Sequence, residues 1–211
     1  MSEIVGVVLS GGLGRRMGGG DKALIALGGR HLLDRVIERF APQVGALVLN
    51  ANGDPARFEA FGLPVAADPV AGHPGPLAGL LAGMRWAETH RPGARHVATA
   101  AADTPFLPLD LVARLAASLD GADPDGIAVP VTATGTHQVC ALFPISLADA
   151  LEEALVGGAA RKVMAWIERH PVRHVAFGPL EGGLDPFFNV NTPEDLAAAE
   201  DWIAAHDPVQ P

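Results

Sequence analysis

The sequence predicts an α/β protein of three layers, with a mostly parallel, Rossmann-like sheet between two layers of helices. Residues 4–9, IVGVVL, form an unbroken, β-branched apolar run, as in a strand buried on both faces. Through about residue 120, such runs alternate with amphipathic stretches of helical length. That alternation implies a parallel sheet, covered on both sides through right-handed crossovers. The 211 residues are 49% apolar and 18% charged, which excludes a disordered chain and fits one buried core.

After the first strand, residues 31–41 place Leu32, Leu33, Val36, Ile37 and Phe40 at helical spacing, with charged residues opposite. Residues 46–50, ALVLN, read as a second strand, 54–61 as a short helix and 63–67 as a third strand. Residues 77–88 form a helix with small residues on one side. The strand 96–103 ends on an acid, and a helix over 108–119 is expected to start at Pro108, a good first-turn residue. The second part is less regular. Residues 126–131 and 137–143 read as strands facing each other across a turn, followed by helices at 146–156 and 159–169 and a short strand at 174–177. A closing helix over 192–206 has Thr192 to cap it and Pro193, Glu194 and Asp195 in its first turn.

Composition excludes several functions. A formal charge of −9 argues against duplex nucleic acid, whose binding relies on many phosphate-neutralising Lys and Arg. The lone Cys140 can form neither an internal disulfide nor a thiolate zinc cluster. Glu3 stands where a secretory signal would place basic residues. No window of about 18 apolar residues free of Gly, Pro and charge is present, so no membrane span is expected. A soluble, cytoplasmic protein is expected.

Ligands of parallel sheets bind beyond the carboxyl ends of the strands. The first strand runs into LSGGLGRRMGGGDK, residues 9–22. Glycines let backbone N–H groups close on an anion, arginine forks match phosphate oxygens, and a lysine adds a point charge. The P-loop pattern fails, because Lys22 is preceded by Asp21 and followed by Ala23. The dinucleotide fingerprint also fails, because its third glycine position is Met17. Lys22 and Lys162 are the two lysines in a chain that otherwise uses arginine.

The spacing of Leu9, Gly11, Gly12, Gly14, Arg16, Met17 and Lys22 resembles the signature of nucleotidyltransferases that couple an NTP to a phosphorylated acceptor. The longer string around RRMGGGDK narrows the resemblance to the molybdenum cofactor guanylyltransferases, the MobA family. VLNAN (48–52), AADP (66–69), GPLAGL (75–80), AADTPFLP (101–108), ARKVM (160–164) and FFNVNTPEDL (187–196) are similar to that family in the same order. The resemblance implies the nucleotide-diphospho-sugar transferase type of fold as a single domain, 1–211. About 1–120 would bind the nucleotide and about 121–206 the acceptor. It implies transfer of GMP from GTP to the terminal phosphate of molybdopterin, with release of pyrophosphate and Mg²⁺ as cofactor. A CTP-dependent molybdopterin cytidylyltransferase and a non-catalytic nucleotide-binding module are the alternatives. Transient contact with cofactor insertion or maturation proteins would suit a labile pterin product.

Asp103 ends the fourth strand, where one carboxylate beside a polyphosphate could hold Mg²⁺; an Asp-turn before Pro105 is the plainer reading. The resemblance makes Asp103 the metal ligand. It makes Leu9, Ser10, Gly11, Gly12, Lys22, Asn50, Asp68 and Asp103 the nucleotide-binding set, and Arg16, Lys22 and Asp103 the catalytic set. Asn50 and Asp68 could otherwise be turn formers. Arg161 and Lys162 begin a predicted helix, where a phosphate is favoured. Asn189 and Asn191 flank Val190 and point to one side of an extended segment. These four are the acceptor-binding candidates, with His137 and Gln138 candidates for the same region. Cys140 reads as a small core residue.

Overall fold

The computed structural model describes residues 4–10, 21–70, 75–119, 125–159 and 162–206. The first strand, β1 (Ile4–Leu9), is followed by a small antiparallel hairpin, β2 (Ala26–Leu27) and β3 (Arg30–His31), and by α1 (Leu32–Phe40). Next come β4 (Ala46–Asn50), β5 (Val65–Ala66), α2 (Pro76–His90), β6 (His96–Ala101) and α3 (Leu111–Leu119). The second part holds β7 (Ile127–Thr132), β8 (Gly135–Thr136), β9 (Leu142–Pro144), α4 (Ala148–Val156), α5 (Val163–Ile167), β10 (Val172–Ala176) and α6 (Pro193–His206).

One eight-stranded sheet draws on both parts of the chain, in the order β10-β7-β9-β6-β1-β4-β5, with β8 paired to β7. β1 lies parallel between β4 and β6, and β10 is parallel to β7. β9, antiparallel to both β6 and β7, and β8, antiparallel to β7, are the exceptions. The sheet is therefore mostly parallel, as expected. Alternation along each central strand feeds two cores. Val8, Leu47, Leu49, Ala98 and Ala100 face Leu33, Val36 and Phe40 of α1 and Leu111 and Leu115 of α3. Val5, Val7, Val48 and Val97 face Leu80, Leu81 and Met84 of α2 and Leu151 of α4. A third cluster, with Leu27, Phe106, Val190 and Ala199, packs α6 against the β2–β3 hairpin.

α2 lies unusually close to the sheet because two of its contact positions lack a side chain. A Cβ at Gly83 would stand 2.2 Å from Val7 Cγ2, and one at Gly79 would stand 2.2 Å from Asn50 Oδ1. The small-residue side seen in the sequence is thus the side laid on β1 and β4.

Several boundaries differ from expectation. The hairpin partner of β7 is the two-residue β8, held by Val131↔Thr136, whereas the strand expected over 137–143 begins only at Leu142. Cys140 therefore precedes the strand, though it is buried. α3 starts at Leu111 instead of Pro108, after a turn closed by Leu111 N–H to Pro108 O. Residues 55–61 form a 3₁₀ helix capped by the Asp54 carboxylate, which accepts the Ala56 N–H, and ended by Gly62 at φ 63°. The helix expected over 159–169 contracts to α5. The cap expected at Thr192 is present: its hydroxyl accepts the Asp195 N–H at 3.1 Å, and Asp195 in return accepts the Thr192 N–H at 2.9 Å.

Candidate active site

Parallel strands end together, so the residues that follow β1, β4 and β6 meet over the sheet. They line a cavity of about 410 Å³. Leu9, Ser10, Lys22, Asn50, Asp68, Asp103 and Asn189, all candidates from the sequence, border this one space. Backbone hydrogen bonds from Ser10 N–H to Asn50 O (2.9 Å) and from Ala102 N–H to Leu9 O (3.0 Å) extend the ladder to its floor. Gly11, Gly12, Arg16 and Arg161 lie outside the described residues.

The centre of the cavity is ionic. Lys22 Nζ donates both to the Asp103 carboxylate and to Asn191 Oδ1. The two charged side chains are 14% and 22% exposed, enough to be reached by a ligand and too buried to be fully screened. Asn191 thus joins the site through Lys22. Val190 N–H donates to Asp103 O at 2.9 Å, which ties the segment carrying the two asparagines to the end of β6. Val190 is buried with exposed Asn189 and Asn191 on either side, as the alternation implied. Beside this centre the Ser10 hydroxyl is buried and has no partner among the described residues.

At the β4–β5 end, Asp68 is gripped on both oxygens. Asn50 Nδ2 donates to Oδ1 at 2.9 Å and Asn52 Nδ2 to Oδ2 at 2.7 Å, while Asn52 Oδ1 accepts the Asp68 N–H at 2.9 Å. Asn50 also donates to Ala66 O, which fixes its amide. A carboxylate and amides held this rigidly can present fixed acceptors and donors to the edge of a base. Asp21, next to Lys22, forms a 2.8 Å ion pair with Arg57. Burial raises the Asp21 pKa, and Arg57 opposes that.

The β7 end was the least legible. Asp185 accepts from the hydroxyls of Thr132 and Thr134 and, through Oδ1, from the Phe187 N–H. Burial raises its pKa, but these hydrogen bonds and nearby His137 outweigh that and hold it below the ordinary value. His137 and Gln138 line the cavity, and the His137 ring stacks on Phe187 with centroids 4.5 Å apart. Thr104 donates to Asn189 Oδ1 at 2.6 Å. Burial pushes the Cys140 thiol up to about 12, so it stays protonated and is no nucleophile.

Sequence reasoning missed Asn52, Thr104, Thr132 and Asp185. Asn52 carried a signal, since it follows Asn50 by two residues; Asp185 did not, because Asp-Pro reads as a turn. Lys162 is exposed at the cap of α5 and does not line the cavity. Among the described residues no group of three or more His, Cys, Asp or Glu could hold a metal, so a cation here would depend on Asp103 together with ligand oxygens.

Residues 6–174 match the family model of the MobA-like NTP transferase domain. The chain is 52% identical over 198 residues to a molybdenum cofactor guanylyltransferase of Mesorhizobium japonicum, covering 93% of this chain and 94% of that protein. It is 55% identical over 195 residues to a molybdenum cofactor guanylyltransferase of Rhodopseudomonas palustris, covering 92% and 91%. Its fold superposes on molybdopterin-guanine dinucleotide biosynthesis protein A from Archaeoglobus fulgidus with a TM-score of 0.73, at 28% identity, over 96% of this chain and 99% of that one. An NTP-transferase signature after β1, a polar cavity over the ends of β1, β4 and β6, and these full-length likenesses agree: the chain belongs to the MobA-like NTP transferase family.

Proposed function

We propose that this protein is a molybdenum cofactor guanylyltransferase, which moves GMP from GTP to the terminal phosphate of molybdopterin and releases pyrophosphate. The observation that carries the reading is the Lys22–Asp103–Asn191 contact at the centre of the cavity. It joins a cation, a carboxylate and an amide where a polyphosphate would lie, and relatives 52% and 55% identical over more than nine-tenths of the chain are named molybdenum cofactor guanylyltransferases.

The acceptor phosphate is already an anionic nucleophile, so no strong general base is needed. The barrier lies in bringing two polyanions together and stabilising charge on the α-phosphoryl group, which positioning and electrostatics supply. Lys22 would neutralise the transferring and leaving phosphates, together with Arg16. The backbone N–H groups of Leu9, Ser10, Gly11 and Gly12 would hold the triphosphate, and the Ser10 hydroxyl would find a partner there. Asn50 and Asp68, braced by Asn52, would take the guanine end. Asn189 and Asn191 would face the acceptor, while Lys162, which does not line the cavity, would with Arg161 serve only a part of the acceptor that extends beyond it.

The donor set fits Mg²⁺, which binds through one or two carboxylates plus substrate oxygens and water, and Asp103 is a partly exposed carboxylate in that position. Bound Mg²⁺ would neutralise charge on the phosphate oxygens. We further place the nucleotide in the half formed by about residues 1–120 and the acceptor in the half formed by about 121–206, in a cytoplasmic enzyme that hands its product to cofactor insertion proteins. No helix among the described residues is long and apolar enough to cross a membrane.

The test is pyrophosphate release with each of the four NTPs, with and without molybdopterin. Release confined to GTP plus molybdopterin is expected. Release with CTP instead selects a cytidylyltransferase, and nucleotide binding without release selects a non-catalytic module.

A further inference from the structure

The cavity lining runs from the β4 and β5 ends to the residues beside β7. Its polar base-edge set, Asn50 and Asp68, sits at β4 and β5, and Lys22 with Asp103 sits over β1 and β6. His137 is fixed against β7, where its N–H donates to Pro130 O at 2.9 Å. β7 lies four strand spacings from β4, roughly 19 Å at the usual separation of paired strands. A ring at the β7 end therefore belongs to a second molecule, not to the base at the β4 end.

His137 is oriented by a chain of hydrogen bonds whose protons can be counted. Asp185, a carboxylate, only accepts, and it takes the single hydroxyl proton of Thr132 at 2.6 Å and that of Thr134. Thr132 Oγ1 therefore meets His137 Nε2, 2.7 Å away, as an acceptor. The neutral imidazole must carry its proton on Nε2, which leaves Nδ1 a lone-pair acceptor. One ring face is covered by Phe187 at 4.5 Å and 21°. With Nε2 and one face engaged, Nδ1 is the ring atom left to meet a ligand in the cavity that His137 lines.

We propose that His137 recognises the heteroaromatic ring system of the acceptor by taking one of its edge N–H donors on Nδ1, with Thr132 and Asp185 as the residues that position it. The proposal deepens the guanylyltransferase reading and rests on it for the identity of the acceptor, a pterin. A pterin edge carries ring N–H and amino donors and needs an acceptor opposite. Burial keeps His137 neutral, outweighing the pull of Asp185, and so preserves that acceptor near neutral pH.

The test uses the full chain and a free pterin bearing a phosphomonoester side chain, whose fluorescence reports binding, in parallel with GTP titration. His137→Phe keeps a flat ring and removes Nδ1; Thr132→Val frees Nε2 and lets the ring turn. The expected result is pterin binding weakened about tenfold in His137→Phe and severalfold in Thr132→Val, with GTP affinity within about twofold of wild type. In turnover the acceptor KM rises while the GTP KM holds, a split that general loosening would not produce. Unchanged pterin binding in His137→Phe, loss of GTP affinity in its place, or a wild-type chain that does not bind the pterin overturns the proposal. If His137→Phe does not fold, Thr132→Val decides by the same criteria. Failure of the guanylyltransferase reading shows separately, as no pyrophosphate release by wild type with GTP and molybdopterin; the pterin titration does not depend on turnover.

Discussion

The Lys22 ammonium pairs with the Asp103 carboxylate across 81 residues of sequence. The pair joins the segment after the glycine loop to the end of β6. Each group neutralises the other, so in the proposed reaction Mg·GTP would have to separate them, Asp103 serving the cation and Lys22 the phosphates. Losing Lys22 leaves the carboxylate unopposed and, on the proposed reading, takes a cation from the phosphates. Turnover of Lys22→Ala at saturating Mg·GTP is expected to fall ~10²–10³-fold, the scale of removing one transition-state charge partner. Circular dichroism should still report the wild-type fold, because Asp103, 22% exposed, can be solvated once Lys22 is gone. Turnover within about threefold of wild type would remove Lys22 from the mechanism.

Asn50 owes its geometry to the glycine opposite it. Its Nδ2 is committed to Ala66 O and Asp68, and its Oδ1 occupies the space that a side chain on Gly79 would need. In an open helix, Gly→Ala stabilises by about 1 kcal/mol. Here the added Cβ would lie 2.2 Å from Asn50 Oδ1 and 2.7 Å from Leu9 Cδ2, so overpacking costing roughly 1–3 kcal/mol outweighs the propensity gain. Gly79→Ala is expected to melt at a lower temperature than wild type and to bind GTP more weakly. A higher melting temperature with GTP affinity intact would show that α2 moves away without disturbing the site.

The architecture was legible wherever a local pattern decided it. The continuous apolar run of β1, the spacing in α1 and the Thr192–Asp195 cap follow from residues close together in sequence. So does the gathering of most of the candidate residues at one cavity, because parallel strands end together. What escaped depended on distant pairing. Nothing in residues 137–143 says that β9 enters the sheet antiparallel between β6 and β7, which shortens the strand and leaves 137–140 as a cavity wall. Pro108 looked like a helix start, but exposed Leu109 and Asp110 continue the turn. Thr132 and Asp185 lie 53 residues apart, and their bond to each other could not be read from either neighbourhood.

Asn52 is a support that the site can be tested through. It holds Asp68 from both directions, donating to the carboxylate and accepting the backbone N–H. Removing it leaves Asp68 gripped by Asn50 alone. Asn52→Ala is expected to raise the GTP KM about tenfold, one charge-assisted hydrogen bond's worth, without raising the acceptor KM. An acceptor KM that rises with it would mean that the β4–β5 end does not serve the nucleotide.

Two histidines give stability a dependence on pH. Burial lowers the pKa of His137 against the pull of Asp185, and burial together with Arg169 lowers that of His170, whose ring lies 4.7 Å from Trp166. Both are therefore more easily protonated in the unfolded chain. Between the folded values and the ordinary value near 6.5 the unfolded state binds more protons, so stability rises with pH through that window. The contribution is complete above about pH 6.5 and is lost as pH falls through the folded pKa values. Melting temperature is accordingly expected to drop between pH 7.5 and pH 5, and His170→Gln should flatten part of that drop, because glutamine takes no proton in either state. Since His170 lies outside the cavity lining, GTP binding at pH 7.5 should be unchanged in the variant. A pH profile as steep in His170→Gln as in wild type would assign the dependence to other groups.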